Sequence, residues 1–306
     1  MRNAVLACWL AVIFLPVDAV LAQMPSTHMP PATPVTLADW AKGAQLFDGL
    51  GSFHRKITTR SPLAQKYFDQ GMRFLWAFNH DEATRSFAKA ALIDRNCASC
   101  YWGVALTLGP NYNMPMMNSA RARVGWAALR RARANERRAM PVERALIEAA
   151  AKRYTGVQQV DPSNSKPLLS AYVAAMKRVA ARYPDDLDVQ TMYAEGLMNT
   201  NPWKLWNDDG TENPGTQQIL DALQSVLKRD PRHPGANHYY IHAIEASPHP
   251  EQALASAKML NGMMPAAGHL EHMPAHILQR VGRYEDAAEA NRKGAAADLA
   301  YLAKTA

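Results

Sequence analysis

The hydrophobic and polar residues of this chain follow mostly the period of an α-helix. From residue 62 onward, apolar residues recur three and four positions apart, in segments that end at proline, glycine or short polar stretches. No segment shows the two-residue alternation that is typical of a half-buried strand. The pattern predicts helices over 62–77, 81–93, 98–108, 117–137, 142–154, 165–182, 186–198, 216–228, 235–246, 250–261, 267–280 and 283–302. With one long loop from Asn199 to Gly215, the sequence predicts an all-α fold.

The predicted helices repeat with a constant spacing. Pro231 and Pro265 each follow a helix end and are 265 − 231 = 34 residues apart. Ala253 and Ala287, each in the middle of a helix, are 287 − 253 = 34 residues apart. A fixed period of this length indicates a repeat protein, in which each helix pair buries its apolar face against the next pair.

The residues at the repeated positions resemble those of the tetratricopeptide repeat (TPR) family. The resemblance rests on Gly71, Ala83, Phe87 and Ala90 in the first helix pair, and on Tyr284-Glu285-Asp286-Ala287 in the last. It is clear over 64–97 and 217–298 and weak over 98–200. It implies that residues 61–306 form a TPR-like α-solenoid of stacked helix–turn–helix pairs, whose first helices line a concave groove.

The beginning of the chain has the order of an export signal. Arg2 precedes an apolar run from Ala4 to Val17, and small residues lead to a cleavage site before Gln23. We therefore expect residues 1–22 to be a signal peptide and the protein to be periplasmic or secreted. Residues 23–60 read as a Pro-rich linker. No later apolar run is long enough for a transmembrane span.

The last helix is a poor cap for a repeat array. Solenoids usually end in a polar helix, whereas Leu299 to Ala303 is mostly apolar. We expect a partner, a second copy or a further segment to contact this uncapped C-terminal end.

The histidines form the most distinctive pattern in the sequence. Six of the ten lie between residues 238 and 276. His238 and His242 form one His-x-x-x-His pair, and His272 and His276 form another, so each pair shares one helix face. The two pairs are 272 − 238 = 34 residues apart, and the resemblance to TPR proteins implies that all four imidazoles face the groove.

Two interpretations of these histidines are open. They are polar contacts, with Glu245, to a peptide, protein or small-molecule ligand in the groove. Alternatively, they bind copper or zinc, the metals that imidazole favours, and Glu245 or Glu271 assists them. The sequence contains no P-loop, G-x-G-x-x-G or G-x-S-x-G motif, and it leaves open whether the protein is an enzyme.

Three further residues are candidates for the ligand groove. Trp102, Asn111 and Asn113 lie near the end of a first helix, in a region rich in aromatic residues and methionine. They indicate either a ligand pocket or ordinary core packing.

Cys97 and Cys100 are separated by two residues at a helix start. Tyr101 follows where c-type haem attachment would need histidine, and no βαβ context supports a redox motif. In an exported protein the favoured interpretation is a local disulfide.

The net charge of +7 does not indicate a nucleic-acid-binding protein. The arginine-rich segment 121–138 contains a single aromatic residue, Trp126. Without interleaved aromatic residues, a solvated helix face is favoured over nucleic acid binding.

Overall fold

Fourteen α-helices are present in residues 34–305, the part of the chain that the computed structural model describes. They are α1 Leu37–Ala41, α2 Pro62–Trp76, α3 His80–Ile93, α4 Ala98–Leu108, α5 Ser119–Asn135, α6 Pro141–Ala150, α7 Ser165–Arg182, α8 Leu187–Met198, α9 Thr216–Arg229, α10 Pro234–Ile244, α11 Leu254–Leu260, α12 Gly268–His272, α13 Pro274–Arg280 and α14 Tyr284–Thr305. Only two isolated β-bridges and no strand occur in these residues. The predicted all-α fold is confirmed. The predicted signal peptide lies outside the described residues.

Side-chain caps explain where the first three long helices begin. The side chains of Ser61, Asn79 and Cys97 accept hydrogen bonds from backbone N–H groups in the first turns of α2, α3 and α4. These bonds satisfy donors that have no partner within the helix.

Small residues let these helices approach closely. The ring of Phe87 in α3 lies against Gly71 of α2 and Gly103 of α4, where an added Cβ would be 2.6 and 2.5 Å from the ring. From α4 to α11 each helix packs against the next, and α11 then packs against α13, which contacts α12 and α14. The structure is therefore a TPR-like α-solenoid of stacked helix–turn–helix pairs, as predicted.

Helices that are distant in the chain meet inside the solenoid, so the array is closed. Helix α10 packs against α8 and α13, and it also contacts α2. Trp76 of α2 lies edge-on to His233 and Tyr239, with ring centroids 5.4 and 5.9 Å away. Gly235 leaves room for this indole, because a Cβ there would be 2.5 Å from it. The inside of the array is consequently filled with side chains.

Residues 34–60 are mostly irregular but pack against the helices. Leu50 and Ile57 are buried in the main core. Arg55 Nη1 lies 2.8 Å from Asp186 Oδ1 and 2.6 Å from Asp188 Oδ2. Residues 34–60 therefore belong to the packed domain, and residue 61 does not mark the end of an unpacked linker in the described residues.

The predicted helix over 267–280 is divided into α12 and α13. Met273 between them keeps helical dihedral angles, φ −52° and ψ −36°. Pro274 has no N–H to donate to the preceding turn, so the helical hydrogen bonding is interrupted there.

The C-terminal helix returns to the beginning of the described chain. The Tyr301 hydroxyl donates to Glu82 Oε2 at 2.8 Å, and its ring lies 5.6 Å from that of Phe47. Leu299 and Leu302 of the same helix remain exposed. Part of the end that the sequence left uncapped is thus covered by the chain itself.

Cys97 and Cys100 are joined by a disulfide at the start of α4.

Among residues 34–305, none of the helices has the length and apolar character needed to cross a membrane.

Candidate metal centre

Five imidazoles meet in the interior of the solenoid. They belong to His238 and His242 of α10, His269 and His272 of α12, and His276 of α13. Their rings form a closed circuit, with centroid distances of 4.9 Å (His238–His242), 5.4 Å (His242–His276), 4.7 Å (His276–His272), 5.9 Å (His272–His269) and 4.9 Å (His269–His238). We call these five residues the histidine cluster.

Glu245 orients two of the imidazoles. Its Oε1 lies 2.9 Å from His242 Nδ1, and its Oε2 is hydrogen-bonded to His276 Nδ1. A carboxylate only accepts, so both Nδ1 atoms carry the proton. The Nε2 atoms of these two rings are therefore unprotonated when the rings are neutral.

Two more imidazoles are oriented by oxygen acceptors in the same way. His238 Nδ1 lies 2.5 Å from the backbone oxygen of Trp76. His272 Nδ1 lies 2.6 Å from the side-chain oxygen of Asn291. Both Nδ1 atoms donate, and both Nε2 atoms keep a free lone pair.

Three of these four Nε2 lone pairs lack a proton donor in the neutral rings, whereas His269 Nε2 can donate to that of His238. His272 Nε2 and His276 Nε2 face each other at 2.8 Å, although both are acceptors in the neutral rings. His242 Nε2 is buried without a hydrogen-bond partner among the described residues. His238 Nε2 lies 3.0 Å from His269 Nε2. The cluster is therefore rich in unshared electron pairs that point into one space.

Burial favours the neutral, metal-binding form of three imidazoles in the cluster. Burial lowers the pKa of His238 well below its usual value and lowers that of His269 to about 3. Burial also lowers the pKa of His242, although Glu245 opposes this shift. For Glu245 itself burial acts upward, but the hydrogen bonds from His242 and His276 outweigh it and lower the pKa to about 2. Neutral imidazoles next to a carboxylate are suitable metal ligands.

Two sets of three groups could hold an ion. The donor atoms of His238, His242 and His269 all lie within 4.8 Å of one another, as do those of His242, Glu245 and His276. In the second set both carboxylate oxygens already accept from ring N–H groups. Glu245 is thus better placed to orient His242 and His276 than to coordinate the ion itself.

Aromatic side chains enclose the histidine cluster. The ring of Phe78 is parallel to that of His242 within 9°, at 5.6 Å, and it also packs on His238 and His269. Tyr112 and Trp203 cover the other side of His242, at 5.7 and 5.3 Å. These three residues come from three loops that are far apart in the chain.

Two of the enclosing residues have unusual backbone angles. Phe78 and Trp203 are the non-glycine residues with positive φ in the described chain, at 54° and 63°. A left-handed conformation is costly for a bulky residue, and such strain is concentrated at functional sites. In both residues the left-handed backbone conformation directs an aromatic ring at the histidine cluster.

The predicted site residues divide into two groups. His238, His242, His272, His276 and Glu245 are brought together. Trp102 is buried beside Phe68 and does not line the cavity next to the cluster. Glu271 is buried and accepts from the backbone of Gly262.

Asn111 and Asn113 have different surroundings. Asn111 Oδ1 accepts from the backbone N–H groups of Asn113 and Met114, so it holds a tight turn. Asn113 lines a cavity that also borders His269 and His272.

Sequence reasoning missed His269 as a member of the cluster. Its spacing from His272 is three residues, which places both on one helix face and could have identified it. Phe78, Tyr112 and Trp203 gave no such signal, because nothing local connects them with α10.

The histidine cluster is also less open than the expected groove. His238 is 0% and His242 is 3% exposed. The reason is the closure of the solenoid, which turns what would be a concave surface into an interior.

Comparison with known proteins adds little to this description. No protein-family model matches the chain, and no curated protein matches it. Two solved structures named "MamA RS-1 ArsTM double mutant" and "MamA MSR-1 C2" are similar at 11% and 14% identity, both with a TM-score of 0.36. The alignments cover 79% and 78% of this chain and 98% of each of those chains. A likeness this weak carries no argument, so the conclusions rest on the chain's own residues.

Proposed function

We propose that this protein binds a copper or zinc ion through its histidine cluster. The observation that carries the proposal is that His272 Nε2 and His276 Nε2 face each other at 2.8 Å while the Nδ1 atom of each ring is hydrogen-bonded to an oxygen acceptor. Two nitrogens bound to one tetrahedral ion at 2.0–2.1 Å are about 3.4 Å apart, so a small adjustment would accommodate the ion.

A bound metal would provide a partner for more of the cluster's ring nitrogens than a shared proton would. A proton between His272 and His276 would satisfy that pair alone. It would leave His242 Nε2 buried and unpartnered, at a cost of about 1–3 kcal/mol. A cation held by several Nε2 atoms would satisfy them together.

The oxygen acceptors behind the imidazoles support the same conclusion. Metal-binding histidines commonly donate their second ring N–H to a carboxylate or a carbonyl. Four of the five imidazoles do so here, to Trp76, Glu245 and Asn291. An all-imidazole donor set favours copper or zinc over calcium or magnesium, which prefer oxygen.

The test is the metal content of the untagged protein. Purified protein would be incubated with copper or zinc salt, dialysed and analysed by plasma mass spectrometry. We expect about one equivalent of metal in the wild type and its loss in a His238→Ala/His272→Ala variant.

His249→Ala is the matched control, because this histidine is 64% exposed and lies outside the cluster. It should retain the wild-type metal content. Circular dichroism would show that all the variants are folded. A wild type without metal after reconstitution, or a double variant that retains it, would overturn the proposal.

A further inference from the structure

A cavity of about 460 Å³ opens beside the histidine cluster. His269 and His272 form part of its wall, and Phe78 separates it from the ring of His242. The volume is within the range of sites for small organic molecules, about 300–1,000 Å³. Because His269 and His272 both belong to the histidine cluster, the cavity borders the proposed metal site.

Charge in the cavity would come from two sources. A metal on the histidine cluster would add positive charge near His269 and His272. Asp298 of α14 provides negative charge, and it is the one Asp, Glu, Lys or Arg side chain among the described residues that line the cavity. No cation within the described chain forms an ion pair with it. The carboxylate is therefore available to a ligand.

Glycines hold Asp298 close to the helix that carries the histidines. A Cβ on Gly268 of α12 would be 2.1 Å from Asp298 Oδ1. A Cβ on Gly294 of α14 would be 2.9 Å from the backbone oxygen of Gly268. This close packing of α12 and α14 places the Asp298 carboxylate beside Gly268, the residue that precedes His269.

Apart from Asp298 and the histidines, the side chains that line the cavity are uncharged. Asn79 and Asn113 line the cavity, as do the ring of Phe74 and the side chain of Tyr301. Amides of this kind recognise peptide-like groups, whereas the rings offer contact to apolar parts of a ligand.

We propose that this cavity binds a small zwitterion, of the amino acid or short-peptide class. Its ammonium group binds the carboxylate of Asp298, and its carboxylate binds the metal on the side of His269 and His272. The inference rests on the proposed metal site and adds to it the chemical class of the ligand. An ammonium–carboxylate pair and a metal–carboxylate contact together fix the orientation of the molecule.

The experiment is isothermal titration calorimetry of the zinc-loaded protein with four probes. They are L-alanine, tri-L-alanine, and the N-acetyl derivative of each, in which the positive charge is removed. We expect at least one of the two free amines to bind, and its acetylated form to bind at least tenfold more weakly. Comparison of L-alanine with tri-L-alanine distinguishes a free amino acid from a peptide.

The Asp298→Asn variant tests whether the Asp298 carboxylate binds the ammonium group. This side chain is exposed, so the variant should fold and keep its metal. We expect it to bind the free amine and the acetylated form equally. Asp286→Asn is the matched control on the same helix, because Asp286 pairs with Arg283 and does not line this cavity. It should discriminate as the wild type does.

The outcomes separate this inference from the metal proposal. Failure of the wild type to take up metal would contradict the proposed function in the metal assay itself. Normal metal content with no binding of either free amine, or with equal binding of the amine and its acetylated form, would overturn the zwitterion site alone. Discrimination that persists in Asp298→Asn would also overturn it.

Discussion

At the scale of single residues, His80 shows what burial costs a polar side chain. Both of its ring nitrogens are buried and have no hydrogen-bond partner among the described residues. Burial, assisted by the positive charges of Arg121 and Arg153, lowers the pKa of His80 to about 3. In the unfolded chain a histidine has a pKa of about 6.5. The unfolded state therefore binds a proton first as the pH falls, and folding becomes less favourable between pH 6.5 and pH 3.

Replacing His80 with leucine should remove this part of the pH dependence. Between pH 7.5 and pH 5.5 we expect the unfolding free energy of the wild type to fall by about 1.4 kcal/mol more than that of His80→Leu. Urea unfolding of protein treated with a chelator at both pH values measures the difference. His249→Leu, at an exposed position, should behave as the wild type. Equal slopes for the wild type and His80→Leu would contradict the prediction.

At the scale of helices, the contact of Phe87 with two glycines decides how closely α2, α3 and α4 pack. In a helix interior, alanine is normally favoured over glycine by about 1 kcal/mol. At Gly103, however, a Cβ would be 2.5 Å from the Phe87 ring, closer than atoms can approach. Since the ring is fully buried, it has little room to move. The steric term should therefore exceed the gain in helix propensity.

Gly103→Ala should lower the free energy of unfolding by about 1–3 kcal/mol. A second substitution, at Phe87, provides the control. In a Phe87→Leu background the smaller side chain leaves room for the methyl group, so the double variant should lose less stability than the sum of the single variants. Urea unfolding of the four proteins measures this coupling. Simple additivity would show that Gly103 and Phe87 do not interact as described.

At the scale of the whole molecule, buried charges connect parts of the chain that are distant in sequence. Arg55 binds Asp186 and Asp188, and Asp188 Oδ1 lies 3.0 Å from His233 Nε2. The segment before α2 is thereby joined to the starts of α8 and α10. Burial raises the pKa of Asp188, but the bonds from His233 and Arg55 outweigh this effect and the pKa is lowered overall. The bonds of ionised Asp188 to Arg55 and His233 stabilise the fold above about pH 3.9, the pKa of an unfolded aspartate. This stabilisation is lost as the pH falls through the lower pKa of Asp188 in the folded state.

Asp188→Asn should reduce the free energy of unfolding by about 3 kcal/mol at pH 7, since it leaves the buried Arg55 with only the partly exposed carboxylate of Asp186. Asp185→Asn is the matched control, because the Asp185 side chain is 93% exposed in its pair with Arg229. It should cost less than about 1 kcal/mol. Urea unfolding at pH 7 measures both. Similar losses for the two variants would mean that the connection made by Arg55 does not stabilise the fold.

Much of this architecture could be predicted from local patterns in the sequence. The apolar period predicted most of the helices, because helix formation depends on residues within one turn of each other. The repeated spacing predicted that helix pairs stack, and the i, i+4 spacing predicted that His238 and His242 share one face of α10. The short helix α1 was missed, since only five residues carry its pattern. The break before α13 lies at Pro274, inside the helix predicted over 267–280.

The sequence alone determined a helical repeat protein with two matched pairs of histidines, because these properties follow from contacts along the chain. Only the tertiary structure decided that the solenoid closes and that the cluster is an interior site. The bond between His238 and Trp76 joins residues 162 positions apart. Which nitrogen of each ring is protonated, and that Phe78 and Trp203 enclose the rings, likewise depend on the curvature of the whole array. That curvature is the sum of many small packing angles between neighbouring helix pairs, and no single segment of the sequence specifies it.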